Sequence, residues 1–253
     1  MSTGGDLSIL ILTEDSGEAG YSTILALTGE MLHLVDPDAT RDGIEFEPID
    51  NEEARRALRG NAWKDEGPDA HQTSTALARS IATKLLEDDG LVLFHIDGDR
   101  RWSDRKASEN LKKFKKSFEV RIRQLLAGKL GDGKAIEARM SRLVILAPFY
   151  SIESWLYQNT EAAIRLCQKH HRGKDVDRFS AWREDRGLLD EELKPKKQVC
   201  LADRHNRELA ASGFPAAEVH AAGKSFKDAI EALRKCAHLV AGLACLRRPP
   251  RTT

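Results

Sequence analysis

The sequence predicts an α/β fold, a Rossmann-like parallel sheet of about four strands with helices on its faces, followed by a mainly helical C-terminal extension. Three observations predict it. Short apolar runs of strand length recur through the first part of the chain. Each is followed by a segment whose apolar residues return at spacings of three and four. Beyond Gln168 this alternation gives way to charged sequence punctuated by Gly and Pro. Strand-helix alternation implies parallel strands, because a chain returning to the same edge of a sheet needs a crossover and a right-handed helix supplies it. The expected division is a core over 1–168 and a helical extension over 169–253. A chain of 253 residues suits one large domain or a core with an appendage, at ~150 residues per domain.

The elements follow in order. SILIL (Ser8 to Leu12) is the first strand. From Glu18 to Leu34, Ile24, Leu25, Thr28, Met31, Leu32 and Val35 mark one helical face. GIEFEPI (Gly43 to Ile49) alternates apolar with acidic residues and ends at Pro48, which fits an exposed or edge strand. TSTALARSIATKLLEDD (Thr73 to Asp89) returns to helical spacing at Leu77, Ile81 and Leu85, with Ser and Thr available to cap its start. LVLFHI (Leu91 to Ile96) is a third strand apolar on both faces, and a basic helix over roughly Arg105 to Leu126 follows. RLVILAP (Arg142 to Pro148) is the fourth strand and SIESWLYQNTEAAIRLC the helix after it. Lys224 to Leu246 reads as a final helix docking its apolar face on the core, and RRPPRTT as a frayed tail.

Composition excludes several classes. The formal net charge is zero although 32% of residues are charged, so bulk charge announces neither nucleic acid nor a membrane surface. MSTGGDLSILILTED has no basic segment ahead of its apolar run, and no apolar stretch approaches the ~20 residues that cross a bilayer. The expectation is a cytoplasmic protein without a membrane partner. No Walker A or Gly-x-Gly-x-x-Gly sequence is present. The four cysteines form no C-x-x-C pair. Cys167 with His170 or His171, and Cys200 with His205, would make two short-spaced zinc-ligand pairs. Buried free cysteines are common and QKHHRGKDVDR has the look of a solvated basic segment, so the sequence favours structural cysteines.

In an open parallel sheet the carboxyl ends of all strands share one edge, where ligands bind. The first strand leaves that edge through Thr13-Glu14-Asp15-Ser16-Gly17, the third through Asp97-Gly98-Asp99, and the fourth through Pro148 to Glu153. Three acidic clusters far apart in sequence are thereby expected on one edge. Grouped carboxylates raise one another's pKa unless a cation neutralises them, and Mg²⁺ suits hard oxygen donors. Asp97-Gly98-Asp99 has two readings. It can be turn chemistry whose aspartates cap a helix or pair with Arg100 and Arg101, or a divalent-metal site whose glycine lets both carboxylates reach one ion. Glu14 at the matching end of the first strand, followed by Gly17, is not needed for a turn and favours the metal.

With a glutamate after the first strand (ILTED) and Asp-x-Asp after the third (HIDGD), the chain resembles the toprim domain of topoisomerases, primases and OLD-family nucleases. APFYSIESWLYQN is similar to the Pro-x-x-x-Ile-Glu-x-Trp-Leu segment of small stand-alone toprim-like proteins of bacterial defence loci, often encoded beside an ATPase. The resemblance spans roughly Leu7 to Gln158. It implies Mg²⁺ (or Mn²⁺) bound by Asp97 and Asp99, and Glu14 as a further ligand or the proton-handling carboxylate. Glu153 would be a second-site ligand or an anchor for its loop. The implied activity is metal-assisted phosphodiester cleavage of nucleic acid, DNA before RNA, with an ATPase as partner protein. The topoisomerase reaction needs an attacking tyrosine, and Tyr21, Tyr150 and Tyr157 have no recognisable partner motif, so hydrolysis is expected. Asp15 stands where the family commonly has glycine. The alternative expectation is therefore a toprim-like subunit that binds nucleic acid or a partner without catalysis.

A phosphodiester substrate needs cations beside the carboxylates. Arg100, Arg101, Lys112, Lys113, Lys115 and Lys116 follow the acidic pair directly, and the lysines can lie along a phosphate backbone while Leu111, Phe114, Phe118, Ile122 and Leu125 are buried on the other face. Lys196 and Lys197, in Lys194-Pro195-Lys196-Lys197, form a second cluster that is either a further site cation or an ordinary loop. Trp102 could stack on a base, though packing at the rim is commoner for such an aromatic. Ser16 and Ser22 have no Ser-His-Asp company.

Overall fold

Residues 7–15, 17–59, 62–64, 68–101, 103, 108–211 and 213–247 are described in the computed structural model. Ser16, Trp102, Arg105 and the tail beyond Arg247 lie outside the described residues. The strands β1 (Leu7–Thr13), β2 (Ile44–Glu47), β3 (Leu91–His95) and β4 (Leu143–Leu146) form one sheet in the order β2-β1-β3-β4. All three strand pairs are parallel, as the alternation of strands and helices requires. The short acidic strand β2 is an edge, in keeping with its alternating pattern.

The strand residues divide between two cores. On one face Leu7, Ile9 and Ile11 meet α1 (Glu18–Val35), which buries Ile24, Thr28, Met31 and Leu32 of the predicted face together with Leu27, while the predicted Leu25 is only partly buried. Apolar residues of the C-terminal helices fill the rest of this core, among them Phe179, Trp182, Phe226 and Leu233. On the other face Leu10, Leu12, Val92 and Phe94 meet α2 (Glu52–Arg59), α3 (Pro68–Leu86) and the basic helix. Strands covered on both faces lose nearly all contact with water, at about 1.5–3 kcal/mol for each large side chain buried.

The basic helix begins at α4 (Glu109–Lys113), where Ser108 Oγ accepts the Leu111 N–H at 3.3 Å. It widens into a π turn over Phe114–Phe118 and continues as α5 (Glu119–Leu130). Phe114 and Phe118 meet Trp63 and Phe94 with ring centroids 5.5–6.4 Å apart. Four mutually touching rings hold the Ala62–Lys64 turn firmly against the sheet.

Some boundaries differ from those read in the sequence. The polar insert after Ile49 contains α2 and the start of α3, and α6 (Gly133–Met140) precedes β4. The helix expected after β4 is two, α7 (Glu153–Leu156) and α8 (Thr160–His171). They part at Asn159, which accepts the Ala162 N–H and donates to Leu209 O at 2.9 Å. Beyond α8 come α9 (Val176–Glu184), α10 (Asn206–Ala211) and α11 (Ala216–Ala222). The final helix is also two, α12 (Lys224–Lys235) and α13 (Ala237–Cys245), broken at Cys236, whose backbone is extended. The break lays α13 over the start of β1, where a Cβ on Gly242 would stand 2.7 Å from Leu7 Cδ1. No helix among the described residues is long and apolar enough to cross a membrane.

Candidate functional site

Chain connectivity reverses direction between β1 and β3, since β2 lies to one side of β1 and β3 to the other. Such a switch point opens a crevice at the carboxyl ends of the two strands. Thr13 and His95 face each other there in register, with Thr13 Oγ1 and His95 Nδ1 hydrogen-bonded at 3.0 Å. The next residues on the two strands bring Glu14, Asp15, Asp97 and Asp99 to this edge. β4 brings Tyr150 to Glu153 alongside.

Backbone bonds to the β4 loop shape the Asp97-Gly98-Asp99 turn. Gly98 N–H donates to Pro148 O at 3.1 Å, Asp99 N–H to Tyr150 O at 2.9 Å and Arg100 N–H to Phe149 O at 2.9 Å. This close approach excludes a side chain at position 98, because a Cβ would lie 2.4 Å from Phe149 O and 2.6 Å from Pro148 O. Asp99 adopts a φ of 56°, a left-handed conformation that Asp tolerates better than most residues. The two carboxylates then meet different partners. Asp97 Oδ1 accepts the Ile152 N–H at 3.1 Å at the start of α7 and lies 3.2 Å from His95 Nε2. Asp99 Oδ2 accepts from Asn110 Nδ2 at 2.7 Å, and the same amide donates to Asp97 O at 2.8 Å.

Glu14 is tied to Lys64, with Lys64 Nζ 2.8 Å from Glu14 Oε2 and the side chains only 13% and 7% exposed. The aromatic cluster beneath Trp63 positions this lysine. Glu14 Oε1 is shielded from solvent and has no hydrogen-bond partner. Burial pushes the Glu14 carboxyl up to about 7; Lys64 opposes the rise and Asp97 adds to it. Asp15 is pushed up to about 6, by burial first and then by Asp97, Glu153 and Asp203, against the pull of His95. Burial lowers the pKa of His95, but Asp97, Asp15 and Glu14 outweigh it and raise the imidazole above its ordinary value. Burial, more than repulsion between the carboxylates, is what disfavours the charged forms of Glu14 and Asp15 at this edge.

Glu153 completes the edge in a different role. It is 8% exposed, accepts from Ser151 Oγ at 2.6 Å and from Asn206 Nδ2 at 3.3 Å. Its neighbour Trp155 donates from Nε1 to Ser225 Oγ at 2.8 Å, and Ser225 in turn bonds Asp190. The Ile-Glu-Ser-Trp-Leu segment thus pins the β4 loop to α10 and α12, and Glu153 anchors that loop.

Lys196 comes from far along the chain to this same edge. It pairs with Asp203, and Asp203, Glu153 and Asp15 raise its pKa against the opposing effect of burial. Lys197 is exposed beside it. Lys112, Lys113, Lys115 and Lys116 are exposed along the outer face of the basic helix, with Phe114, Phe118 and Ile122 buried and Leu111 and Leu125 partly buried beneath them. The Arg100 guanidinium lies over the Phe149 ring, 4.3 Å from its centroid, and Arg101 is exposed. Asn110, in the first turn of the basic helix, touches Asp99, so the helix's lysines lead away from the acidic edge.

Sequence reasoning missed His95, Lys64, Asn110 and Asp203. His95 carried a signal, a lone polar residue closing an apolar strand at the binding edge. Lys64, Asn110 and Asp203 reach the site only through tertiary packing. A surface groove of about 580 Å³ between Glu30, His33, Arg183, Arg186 and Phe214 lies away from this edge. A smaller groove of about 270 Å³ opens beside Asp15, between Gly17, Tyr21, Asp50 and Arg59.

The donors at the edge are hard oxygens, and the unpartnered Glu14 Oε1 is the kind of atom a cation would satisfy. The carboxylates do not yet converge. Among the described residues, the one group of three His, Cys, Asp or Glu side chains whose ligand atoms lie within 4.8 Å of one another is Cys167, Asp175 and Cys200, elsewhere in the molecule. Comparisons with protein-family models, curated proteins and solved structures return no match for this chain.

Proposed function

We propose that the chain is a Mg²⁺- or Mn²⁺-dependent nuclease of toprim type. It would hydrolyse phosphodiester bonds of nucleic acid, DNA before RNA, as the effector of an antiviral complex with an ATPase partner, in the cytoplasm. One observation carries the reading. Glu14 just past the end of β1, and Asp97 and Asp99 just past the end of β3, follow adjacent parallel strands at the switch point of the sheet, in the order that the toprim resemblance implies.

Glu14, Asp97 and Asp99 would hold the cation; the oxygens of Glu153 are engaged by Ser151 and Asn206, which suits an anchor. A bound divalent cation supplies polarisation of a phosphoryl oxygen and a more acidic water. The chain's own residues do the rest. Lys64 holds Glu14 in place and trades its proton-bearing state against its charge. Lys196, close enough to feel Glu153 and Asp15, supplies further positive charge, and the exposed lysines of the basic helix take the phosphates that flank the cleaved bond.

A second reading has its own support. Asn110 and the Ile152 N–H already engage Asp99 and Asp97, and Lys64 already pairs with Glu14 Oε2. Such a network suits a subunit that keeps the fold and binds nucleic acid or a partner without cutting. Purified protein incubated with supercoiled plasmid, single-stranded DNA and RNA in Mg²⁺, Mn²⁺ or EDTA separates the two. The nuclease reading expects metal-dependent cutting that a folded Asp97→Ala/Asp99→Ala variant loses. Cutting that survives EDTA or the double substitution rejects it. Nucleic-acid binding without cutting, in the presence of any ATPase that a neighbouring gene encodes, supports the second.

A further inference from the structure

Away from the carboxylate edge, three segments of the C-terminal half meet at a pair of thiols. Cys167 is fully buried in the last turns of α8. Arg172 and Gly173, both with positive φ (55° and 74°), reverse the chain so that α9 starts back across α8. The reversal brings the Asp175 N–H to Cys167 Sγ at 3.4 Å. Cys200, just after the Pro195–Gln198 turn, places its Sγ 3.0 Å from Cys167 Sγ, and its N–H donates to Asp175 Oδ2 at 2.7 Å. Ligand atoms of Cys167, Asp175 and Cys200 all lie within 4.8 Å of one another. Three histidines gather nearby, with His170, His171 and His205 ring centroids 5.3–6.4 Å apart. His171 follows Cys167 by one helical turn on the same face, and its Nε2 is shielded from solvent without a hydrogen-bond partner.

From this arrangement we propose that Cys167, Asp175 and Cys200 form a structural Zn²⁺ site, with His171, whose ring nitrogens stand outside that 4.8 Å group, reaching the fourth position by a rotation of its side chain. Two thiolates, a carboxylate and an imidazole make a borderline-soft donor set that selects Zn²⁺ over Mg²⁺. The two thiols are free, their sulfurs farther apart than the ~2.05 Å of a disulfide. They need open by less than about 1 Å to span a tetrahedral ion with Zn–S bonds of about 2.3 Å. Without a cation, burial and the nearby Cys167 and Asp175 push the Cys200 thiol well above its ordinary pKa; binding releases the thiol protons to solvent, so affinity falls as pH falls. The ion would clip α8, α9 and the 195–203 segment together. That segment carries Lys196 and Asp203 to the acidic edge, so the clip supports the edge from outside. The proposal does not depend on the nuclease reading.

The test uses the full-length protein under reductant, stripped with a chelator and titrated with Zn²⁺ or Co²⁺ alone. One equivalent of Zn²⁺ should bind tightly and raise the melting temperature. Co²⁺ should give tetrahedral visible bands and a thiolate-to-metal charge-transfer band of an intensity that counts two thiolates, a reading made on the wild type and so independent of how variants fold. Cys200→Ser, at a partly exposed position, should remove one thiolate from the spectrum and weaken Zn²⁺ binding at least a hundredfold. His171→Ala should weaken it about tenfold. Absence of zinc uptake by the reduced wild type, a cobalt spectrum without thiolate character, or unchanged affinity in Cys200→Ser overturns the site, as does a Cys167–Cys200 disulfide whose reduced form takes up no metal. Unchanged affinity in His171→Ala overturns the fourth ligand.

Discussion

Replacing Glu14 by Gln should make the metal-free protein more stable at high pH, although it deletes one half of a buried ion pair. The wild-type carboxyl is raised from 4.5 to about 7, with burial as the largest cause. A carboxyl whose folded pKa is raised binds more protons in the native than in the unfolded state between these values, so unfolding free energy falls as pH rises through that window. Below 4.5 both states hold the proton and nothing is lost; above 7 the whole cost is present. A rise of about 2.5 pH units at 1.36 kcal/mol each sets an upper end of about 3 kcal/mol. Lys64 loses part of its partner in the variant, which brings the expected gain to about 1–3 kcal/mol at pH 8 and near zero at pH 5. Urea unfolding of both proteins in EDTA at matched ionic strength, from pH 5 to pH 8, measures it. Mg²⁺ should shrink the difference at pH 8, since a cation restores what burial costs the carboxylate. A difference that does not change with pH, or a variant less stable throughout, would refute the claim that this edge holds a carboxylate against its preference.

Two further outcomes follow from the same geometry. Gly98→Ala forces a Cβ to 2.4 Å from Phe149 O, and because the obstacle is backbone held by three hydrogen bonds the substitution should cost about 2–4 kcal/mol; a loss under about 0.5 kcal/mol in urea unfolding would mean that the loop is not packed as described. Changing Lys112, Lys113, Lys115 and Lys116 together to Gln should leave stability within about 0.5 kcal/mol per site, as expected of exposed positions, while the salt dependence of nucleic-acid affinity falls by roughly 0.9 for each phosphate that the helix no longer neutralises. An unchanged slope in a filter-binding titration would remove the helix from the interface.

The parallel sheet was legible because its strands are buried on both faces and its helices keep a strict apolar period. Ile9, Ile11, Leu93 and Phe94 in the strands, and Ile24, Met31 and Leu32 in the first helix, leave little choice of period. The edge bearing Glu14, Asp97 and Asp99 followed from topology alone, since in a parallel sheet every strand ends on the same side. What sits around those carboxylates was not legible. Lys64 depends on a four-ring aromatic cluster, Asn110 on a helix start set by Ser108, and Asp203 on the fold of the C-terminal half. The breaks at Asn159 and Cys236 were hidden because apolar periodicity continues across them, and only the competing hydrogen bonds of Asn159 and the docking of α13 on Leu7 end the helices there. Cys167 and Cys200 were legible only as two short-spaced zinc-ligand pairs with nearby histidines, a reading that the sequence ranks below structural cysteines; their direct approach across 33 residues and the part of Asp175 appear only once Arg172 and Gly173 turn the chain back.

The central claim is that the β1–β3 carboxylate edge binds a divalent cation, and Mn²⁺ binding read by electron paramagnetic resonance tests it without any nucleic acid or partner. Wild-type protein should bind Mn²⁺, Mg²⁺ should compete for it, and Asp97→Asn/Asp99→Asn, which keeps the hydrogen bonds to Ile152 and Asn110 within reach, should lose it while remaining folded. Mn²⁺ bound equally by the folded double variant, or not bound by the wild type, would contradict the claim and make Asp97-Gly98-Asp99 a turn that caps α7.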